Sequence, residues 1–465
     1  MKVSNIDDLK KIVAGCATVN GQVKVTDPGA FRGEVLDRLV YNAVFAGDQE
    51  VRGMARWLIK SAAMDLGVWS ASIQGLYDAM GRGDLKNQYT VPAVNIRGLS
   101  YDVARALVRA AMKNNSGTFL FEIAKSEIAY TLQSPAEYST VMIAAAVKEG
   151  FTGPVFIQGD HFQVNAKKYK EDPAKETGGV KKLIDDAIRA QFYNIDIDTS
   201  TLVDLSHATL EEQQRLNYQV GAELTEHVRG LEPKGVTVSV GGEIGEVGEK
   251  NSTVEELEAY MDGYEKAVKA KGLAGISKVS VQTGTSHGGI PLPDGTVAEV
   301  ALDFDTLDKL GDTAKKKYGL CGAVQHGAST LPDDMFHHFP KMNTGEIHLA
   351  TGFQNMIYDS NFFPASLKEK VYKGLHEKFG SEMKEGQTEE QFIYKTRKKG
   401  FGLVKEELWT LPEVTRNSIG AELESKFDFL FKQLAAVDNV DDVKKFVNSA
   451  KIAPNLADET EMAGG

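Results

Sequence analysis

The chain has 465 residues, 42% of them hydrophobic and 25% charged, so it exceeds one small domain and can bury a large core. Its 65 acidic against 53 basic residues leave a net charge of −12, which argues against nucleic acid or an anionic membrane surface as partner. An acidic average still admits phosphorylated small molecules, because backbone N–H groups hold these locally. The two cysteines, Cys16 and Cys321, make neither a disulfide framework nor a zinc motif and fit a reducing compartment. Residues 1–10 show no apolar leader core, and no apolar run reaches the roughly 18 residues of a membrane span. A cytoplasmic enzyme is the expectation.

Residues 1–88 read as a helical extension, with apolar residues at helical spacing in Phe31–Ala46, Glu50–Leu66 and Ala71–Met80. No motif there carries chemistry, which leaves a helical cap or an oligomer contact. From Tyr89 the pattern changes to short apolar runs alternating with amphipathic stretches. Strands are expected at Val91–Ile96, Gly117–Ala124, Pro154–Gly159, Tyr193–Asp198, Val236–Gly242, Lys278–Thr283, Gly322–Gln325 and Glu346–Ala350. Helical patterns separate them, which implies βαβ units and a parallel sheet. Eight such units favour a closed (β/α)8 barrel over residues 89–356. The open alternative would want a Gly-x-Gly-x-x-Gly turn after the first strand, where this chain has Arg97, Gly98 and Leu99. Residues 357–465 read as helical again, ending in a loose acidic tail from Ala453.

The histidines carry the strongest signal. His161, His287 and His326 directly follow the third, sixth and seventh apolar runs, and His348 lies inside the eighth. The C-terminal strand ends of a barrel converge on one mouth, where three imidazoles with an open fourth position make a catalytic zinc arrangement. A lone histidine at such a place is more often a hydrogen-bonded structural residue; three together are not. Asp160 precedes the first of them. Gly288 and Gly289 follow the second, and Gly327, Ala328 and Ser329 follow the third. Such small and hydroxylated residues let backbone N–H groups approach an anion, and the eighth run ends likewise in Thr351-Gly352. Phosphate beside metal is what these loops imply. Glu243, Glu246 and Glu249 alternate with other residues after the fifth run, as an acidic loop at the same mouth. Asp196 and Asp198 sit two apart on the fourth strand, as inward partners for imidazole N–H groups. Arg397-Lys398-Lys399 reads as a solvated patch rather than a phosphate clamp.

Together these motifs resemble the class II, metal-dependent fructose-bisphosphate aldolases and their tagatose-bisphosphate relatives. Val91-Pro92-Ala93-Val94-Asn95-Ile96 is similar to that family's first strand and Gly159-Asp160-His161 to its Asp-His motif. Ser286-His287-Gly288 is similar to its His-Gly, and His326-Gly327-Ala328-Ser329 to its His-Gly-Gly-Ser. Ile347-His348-Leu349-Ala350-Thr351 resembles its Asn-Val-Ala-Thr strand. The likeness runs from Val91 to Asn355 and, more faintly, over Ala421 to Leu434. It implies that His161, His287 and His326 hold the metal and that Glu243 is a further ligand. Zinc is the default, with another divalent transition metal as the alternative and a monovalent cation as a possible companion ion. It implies that Asp160 moves the proton of the hydroxyl where the carbon–carbon bond breaks, and that Glu249, or else Glu246, exchanges the proton at carbon. Asn95, Gly288, Gly327, Ser329, His348 and Thr351 would bind the phosphorylated sugar. The implied activity is reversible cleavage of fructose 1,6-bisphosphate to two triose phosphates, in glycolysis and gluconeogenesis, by a homo-oligomer.

This chain departs from the family at the substrate end. His348 stands for the usual Asn, Glu122 for Gln and Ala124 for Ser; the acidic loop is short, and the first 88 residues have no counterpart. Three other readings stay open: a tagatose-bisphosphate aldolase, a ketose-phosphate 4-epimerase that re-adds the aldehyde to its other face, and a non-catalytic accessory subunit.

Overall fold

A computed structural model describes residues 2–245, 250–284, 291–293 and 302–464. Its centre is a closed barrel of eight parallel strands: β1 (Val91–Asn95), β2 (Leu120–Ala124), β3 (Gly153–Gln163), β4 (Asn194–Asp198), β5 (Ser239–Gly245), β6 (Lys278–Val281), β7 (Ala323–Gln325) and β8 (Thr344–Leu349). Each pairs with the next in chain order, and β8 returns to β1, with His348 level with Ala93. All five residues of β1, β2 and β4 are buried, as expected of strands covered by helices outside and side chains inside.

The helices that close the βαβ units start on side-chain caps. Ser134 accepts from Glu137 N ahead of Pro135–Lys148, and Thr253 forms a reciprocal capping box with Glu256 ahead of Val254–Lys269. Helix Pro135–Lys148 is buried at nearly every position because a second layer covers it. That layer is the N-terminal helix Gln49–Asp65, itself packed against Leu36–Phe45. On the other side, Glu413–Gln433 lies along Ser100–Lys113.

Two features of the N-terminal region differ from the expected purely helical extension. A hairpin pairs Ala17–Val19 with Val23–Val25. Ala71 does not begin a helix but ends a strand, Val68–Ala71, which runs parallel to the lower half of β3 from Gly153 to Phe156. The helix starts later, at Gln74–Arg82. Gly67, at φ +82°, breaks the preceding helix so that this strand can form. Asn194 on β4 accepts from Ile73 N and Ser72 accepts from Ser239 N, so the base of the barrel is sewn to the added strand. Four residues, Val-Trp-Ser-Ala, are too few to show a strand period.

The acidic tail is not loose. Leu456–Met462 forms a helix capped by Asn455 and packs against Gln49–Asp65. Lys60 donates to Glu459 at 2.6 Å, and both side chains are about 2% exposed or less. Gly53 makes room for the approach, since a Cβ there would lie 2.4 Å from the Thr460 Cα. Glu459→Ala would strand a buried ammonium and is expected to destabilise the fold by about 3–5 kcal/mol; a fall in the unfolding midpoint in denaturant checks this.

Candidate active site

The backbone itself aims Asp160 and His161 at the barrel mouth. The β3–β4 register shifts between Gly159 and Phe162, and His161 takes a left-handed φ of +43°. A non-glycine residue there costs about 1–2 kcal/mol, a strain found where function overrides preference. Gly159 permits the bulge, because a Cβ would sit 2.4 Å from the Phe162 ring. A second bulge, between Glu243 and Gly245 on β5, presents Glu243 to the same space. His326 leaves β7 just before Gly327, which is also left-handed at φ +68°.

The side chains meet as follows. His161 Nδ1 lies 3.2 Å from Asp198 Oδ2 and 3.2 Å from Glu243 Oε2. His326 Nδ1 is 4.0 Å from Glu243 Oε1, and its Nε2 is 3.4 Å from Ser280 Oγ. The rings of His161 and His326 are 4.4 Å apart, and those of His326 and His348 4.2 Å. His348 places Nδ1 2.9 Å from Glu122 Oε2 and 3.3 Å from Asp160 Oδ1, while its Nε2 meets Glu346 Oε1 at 2.6 Å.

Burial and neighbours set opposite charge states on the carboxyls. Burial pushes Glu122 up to about 8, with Asp160 adding to the push and His348 opposing it. Burial, then the Asp198 charge, raises Glu243 to about 7. Burial works the same way on Asp160, yet the positive charge of His161 and His348 holds it well below the usual carboxylate range. His348 is raised well above an ordinary imidazole: burial opposes its charge, but Glu122, Asp160 and Glu346 outweigh it.

Beneath this layer lies a buried ion cluster. Lys278 Nζ donates to Gln158 Oε1 at 2.6 Å, to Asp196 at 3.0 Å and to Glu346. Tyr77, from the N-terminal region, reaches up through the barrel base and donates to Glu346. The pairing expected for the two aspartates of β4 therefore divides: Asp198 orients His161, while Asp196 faces Lys278 and lies 3.6 Å from His348 Nε2.

Above it opens a cavity of about 780 Å³, with Asp160, His161, His326 and His348 among its lining. Gly327, Ser329 and Thr351 line it as well, on the loops after β7 and β8. These loops touch: Ser329 Oγ accepts from Gly352 N at 3.1 Å, and a Cβ on Gly352 would lie 2.3 Å from Ser329 O. Asn95 lines the cavity too, its amide donating to Glu127, which also takes Arg97 Nε at 2.7 Å. Of the residues expected at the site, Asn95, Asp160, His161, Glu243, His326, Gly327, Ser329, His348 and Thr351 thus come together at one barrel end. His287, Gly288, Glu246 and Glu249 lie outside the described residues.

The sequence profile described as "Fructose-bisphosphate aldolase class-II" matches residues 80–402. The chain belongs to that family. No curated protein sequence matches it. Its fold is similar to a fructuronate-tagaturonate epimerase, UxaE, of Cohnella laeviribosi, at 12% identity over 91% of this chain and 90% of that one, with a TM-score of 0.56. It is also similar to a probable tagatose 6 phosphate kinase of Sinorhizobium meliloti 1021, at 16% identity over 80% and 100% of the two chains, with a TM-score of 0.52. A fructose-bisphosphate aldolase of Campylobacter jejuni aligns at 17% identity over 80% and 98%, with a TM-score of 0.45.

Class II aldolases are metal-dependent, and the donor set here suits a metal. Ligand atoms of His161, Glu243 and His326 all lie within 4.8 Å of one another, and Asp198 orients the first imidazole as a metal-bound histidine requires. Sequence reading missed several residues of this aldolase-family site: Arg97, Glu127, Gln158, Lys278, Glu346 and Lys398. The usable signal was a polar side chain inside a run buried on both faces, as with Gln158 after Val155-Phe156-Ile157, which must point into the barrel. Lys398 corrects the reading of residues 397–399 as a solvated patch. Arg397 is buried and paired with Asp359, and Lys398 lines the cavity.

Proposed function

We propose that the protein is a metal-dependent aldolase that reversibly cleaves a ketose phosphate, with fructose 1,6-bisphosphate as substrate and dihydroxyacetone phosphate and glyceraldehyde 3-phosphate as products. The observation that carries this reading is the convergence of Asp160 with His161, Glu243 and His326 at the barrel mouth. When bound, the metal supplies a Lewis acid for the oxygens of the enediolate left by bond cleavage. His161, His326 and Glu243, joined by His287, would hold it. Asp160 takes the proton of the hydroxyl on the carbon that becomes the aldehyde. Ser329 Oγ, the Gly327 backbone and Thr351, which opens helix Thr351–Asp359, receive the phosphate next to the carbonyl. Glu249 would return the proton to carbon.

A second reading keeps the same bond cleavage but retains the aldehyde, which turns and is re-attacked on its other face, giving a 4-epimer. The contact of His348 with Glu122 and Asp160 favours it, because it places a second proton-holding group at the same wall. Purified protein assayed with fructose 1,6-bisphosphate and coupled to nicotinamide oxidation is expected to release triose phosphate. The release should stop with EDTA and return with zinc. No triose from metal-replete protein would overturn the aldolase reading, and conversion of one ketose phosphate into another would establish the epimerase.

A further inference from the structure

The N-terminal extension sends one side chain into the interior of the barrel. Helix Gln74–Arg82 sits at the base and is clamped near both of its ends. A Cβ on Gly75 would stand 2.2 Å from Phe446 O, and one on Gly81 2.0 Å from Gly319 O. Between these two close approaches lies Tyr77, which is fully buried. Its hydroxyl donates to Glu346 Oε2, and Lys278 Nζ lies 5.9 Å over its ring.

Glu346 stands two residues before His348 on β8, and its two oxygens divide their partners. Oε2 takes Tyr77, while Oε1 takes His348 Nε2 at 2.6 Å, Gln158 Nε2 at 3.0 Å and the Lys278 ammonium. The last torsions of Glu and His side chains are broad rather than staggered. Rotamer preference therefore fixes neither the plane of this carboxylate nor the tilt of the imidazole. Donors on both oxygens fix the plane, and the plane sets the direction from which Oε1 meets the ring. On the other side of that ring, in the cavity wall, Nδ1 stands 2.9 Å from Glu122 and 3.3 Å from Asp160. An imidazole anchored on one nitrogen presents the other in a defined direction, as outer partners do for metal-bound histidines.

We infer that Tyr77 is a positioning residue for the bond-breaking step: through the Glu346 carboxylate it sets the turn of the His348 ring and so aims Nδ1 at Asp160 and the sugar hydroxyl. The inference rests on the proposed function for the place of that hydroxyl beside Asp160. It gives the extension a part in the reaction, because the ring that faces substrate is held from below by a residue outside the barrel run.

The test uses zinc-loaded full-length protein labelled with 15N-histidine, in which the imidazole N–H proton of His348 is the resonance missing from His348→Gln. Tyr77→Phe keeps the ring and removes only the hydroxyl; it should shift that resonance or lose it to exchange with water. Ser70→Ala is the control from the same extension, since Ser70 Oγ donates to Gln191 O at the base. It should lower the unfolding midpoint and leave the His348 resonance in place. If Tyr77→Phe does not fold, 3-fluorotyrosine placed at position 77, a stronger donor, should move the resonance the opposite way. The link is overturned if wild type shows no such resonance, if neither change at position 77 moves it, or if Ser70→Ala moves it as far. In turnover, Tyr77→Phe should lower kcat about tenfold with KM little changed, short of the hundredfold that a misplacement of about 1 Å costs. In the His348→Gln background it should lower kcat no further, and a full additive loss there would make Tyr77 merely structural. The resonance is read without substrate, so a protein that shows the shift but releases no triose would fail the proposed function alone.

Discussion

Asp160→Ala is expected to lower kcat about a hundred- to ten-thousand-fold, the usual worth of a positioned proton acceptor, while metal content stays at the wild-type level. Among the acidic residues that line the cavity, Asp160 touches both His161 and His348. Burial pushes Glu122 up to about 8 and Glu243 to about 7. Asp160 stays ionised because positive charge lies on two sides of it, His161 at 3.8 Å and His348 at 3.3 Å. A metal held by His161 would act in the same direction. The substitution removes that acceptor and leaves His161, Glu243 and His326 in place. Steady-state kinetics with metal analysis of the same sample decides the matter. A metal-replete variant that keeps most of its activity would remove Asp160 from the mechanism. Asp160→Asn, which preserves shape, should be as inactive as the alanine variant.

The second large effect concerns stability. Lys278→Met is expected to cost about 3–5 kcal/mol, because Asp196 and Glu346 would lose the cation that balances them inside the barrel. Lys278 is 1% exposed and Glu346 fully buried. The attraction of Lys278 holds Glu346 below the ordinary glutamate range against its burial. Adding Glu346→Gln to Lys278→Met should recover part of the loss, since the repulsion between Glu346 and Asp196 disappears with one charge. Denaturant unfolding of the two single variants and the double variant gives the coupling. A Lys278→Met protein with an unchanged midpoint would show that the cluster is neutralised in another way.

Much of the barrel was legible because each strand announces itself twice: by a short apolar run, and by the residue that follows it. Gly159-Asp160-His161 and Gln325-His326-Gly327 place ligand-type residues where a barrel strand ends, so the mouth could be drawn before the fold. The interior could not. Gln158, Lys278 and Glu346 lie far apart in sequence, and only closure of the sheet brings them within 3.0 Å of one another. Each alone looks like a polar interruption of a strand. Tyr77 and Lys398 were harder still, because they enter from segments outside the barrel run. Their positions depend on how outlying segments pack onto the barrel and on the Val68–Ala71 pairing, which local periodicity does not encode. The acidic tail misled for a related reason. Glu459 looks solvated until Lys60 comes to meet it across 399 residues of chain.

The strand at the base of the barrel bears on how this chain can be cut. Residues 89–356 suggest themselves as a unit that could be expressed alone. In that piece the stretch Gly153–Phe156 of β3 would lose Val68–Ala71, and its backbone N–H and C=O groups on that side would face water as a raw edge. Val155 and Phe156, each 1% exposed in the whole chain, sit on that edge. An open, apolar strand edge recruits other chains. The excised barrel should therefore self-associate, and the added N-terminal strand serves the intact protein as a guard against aggregation.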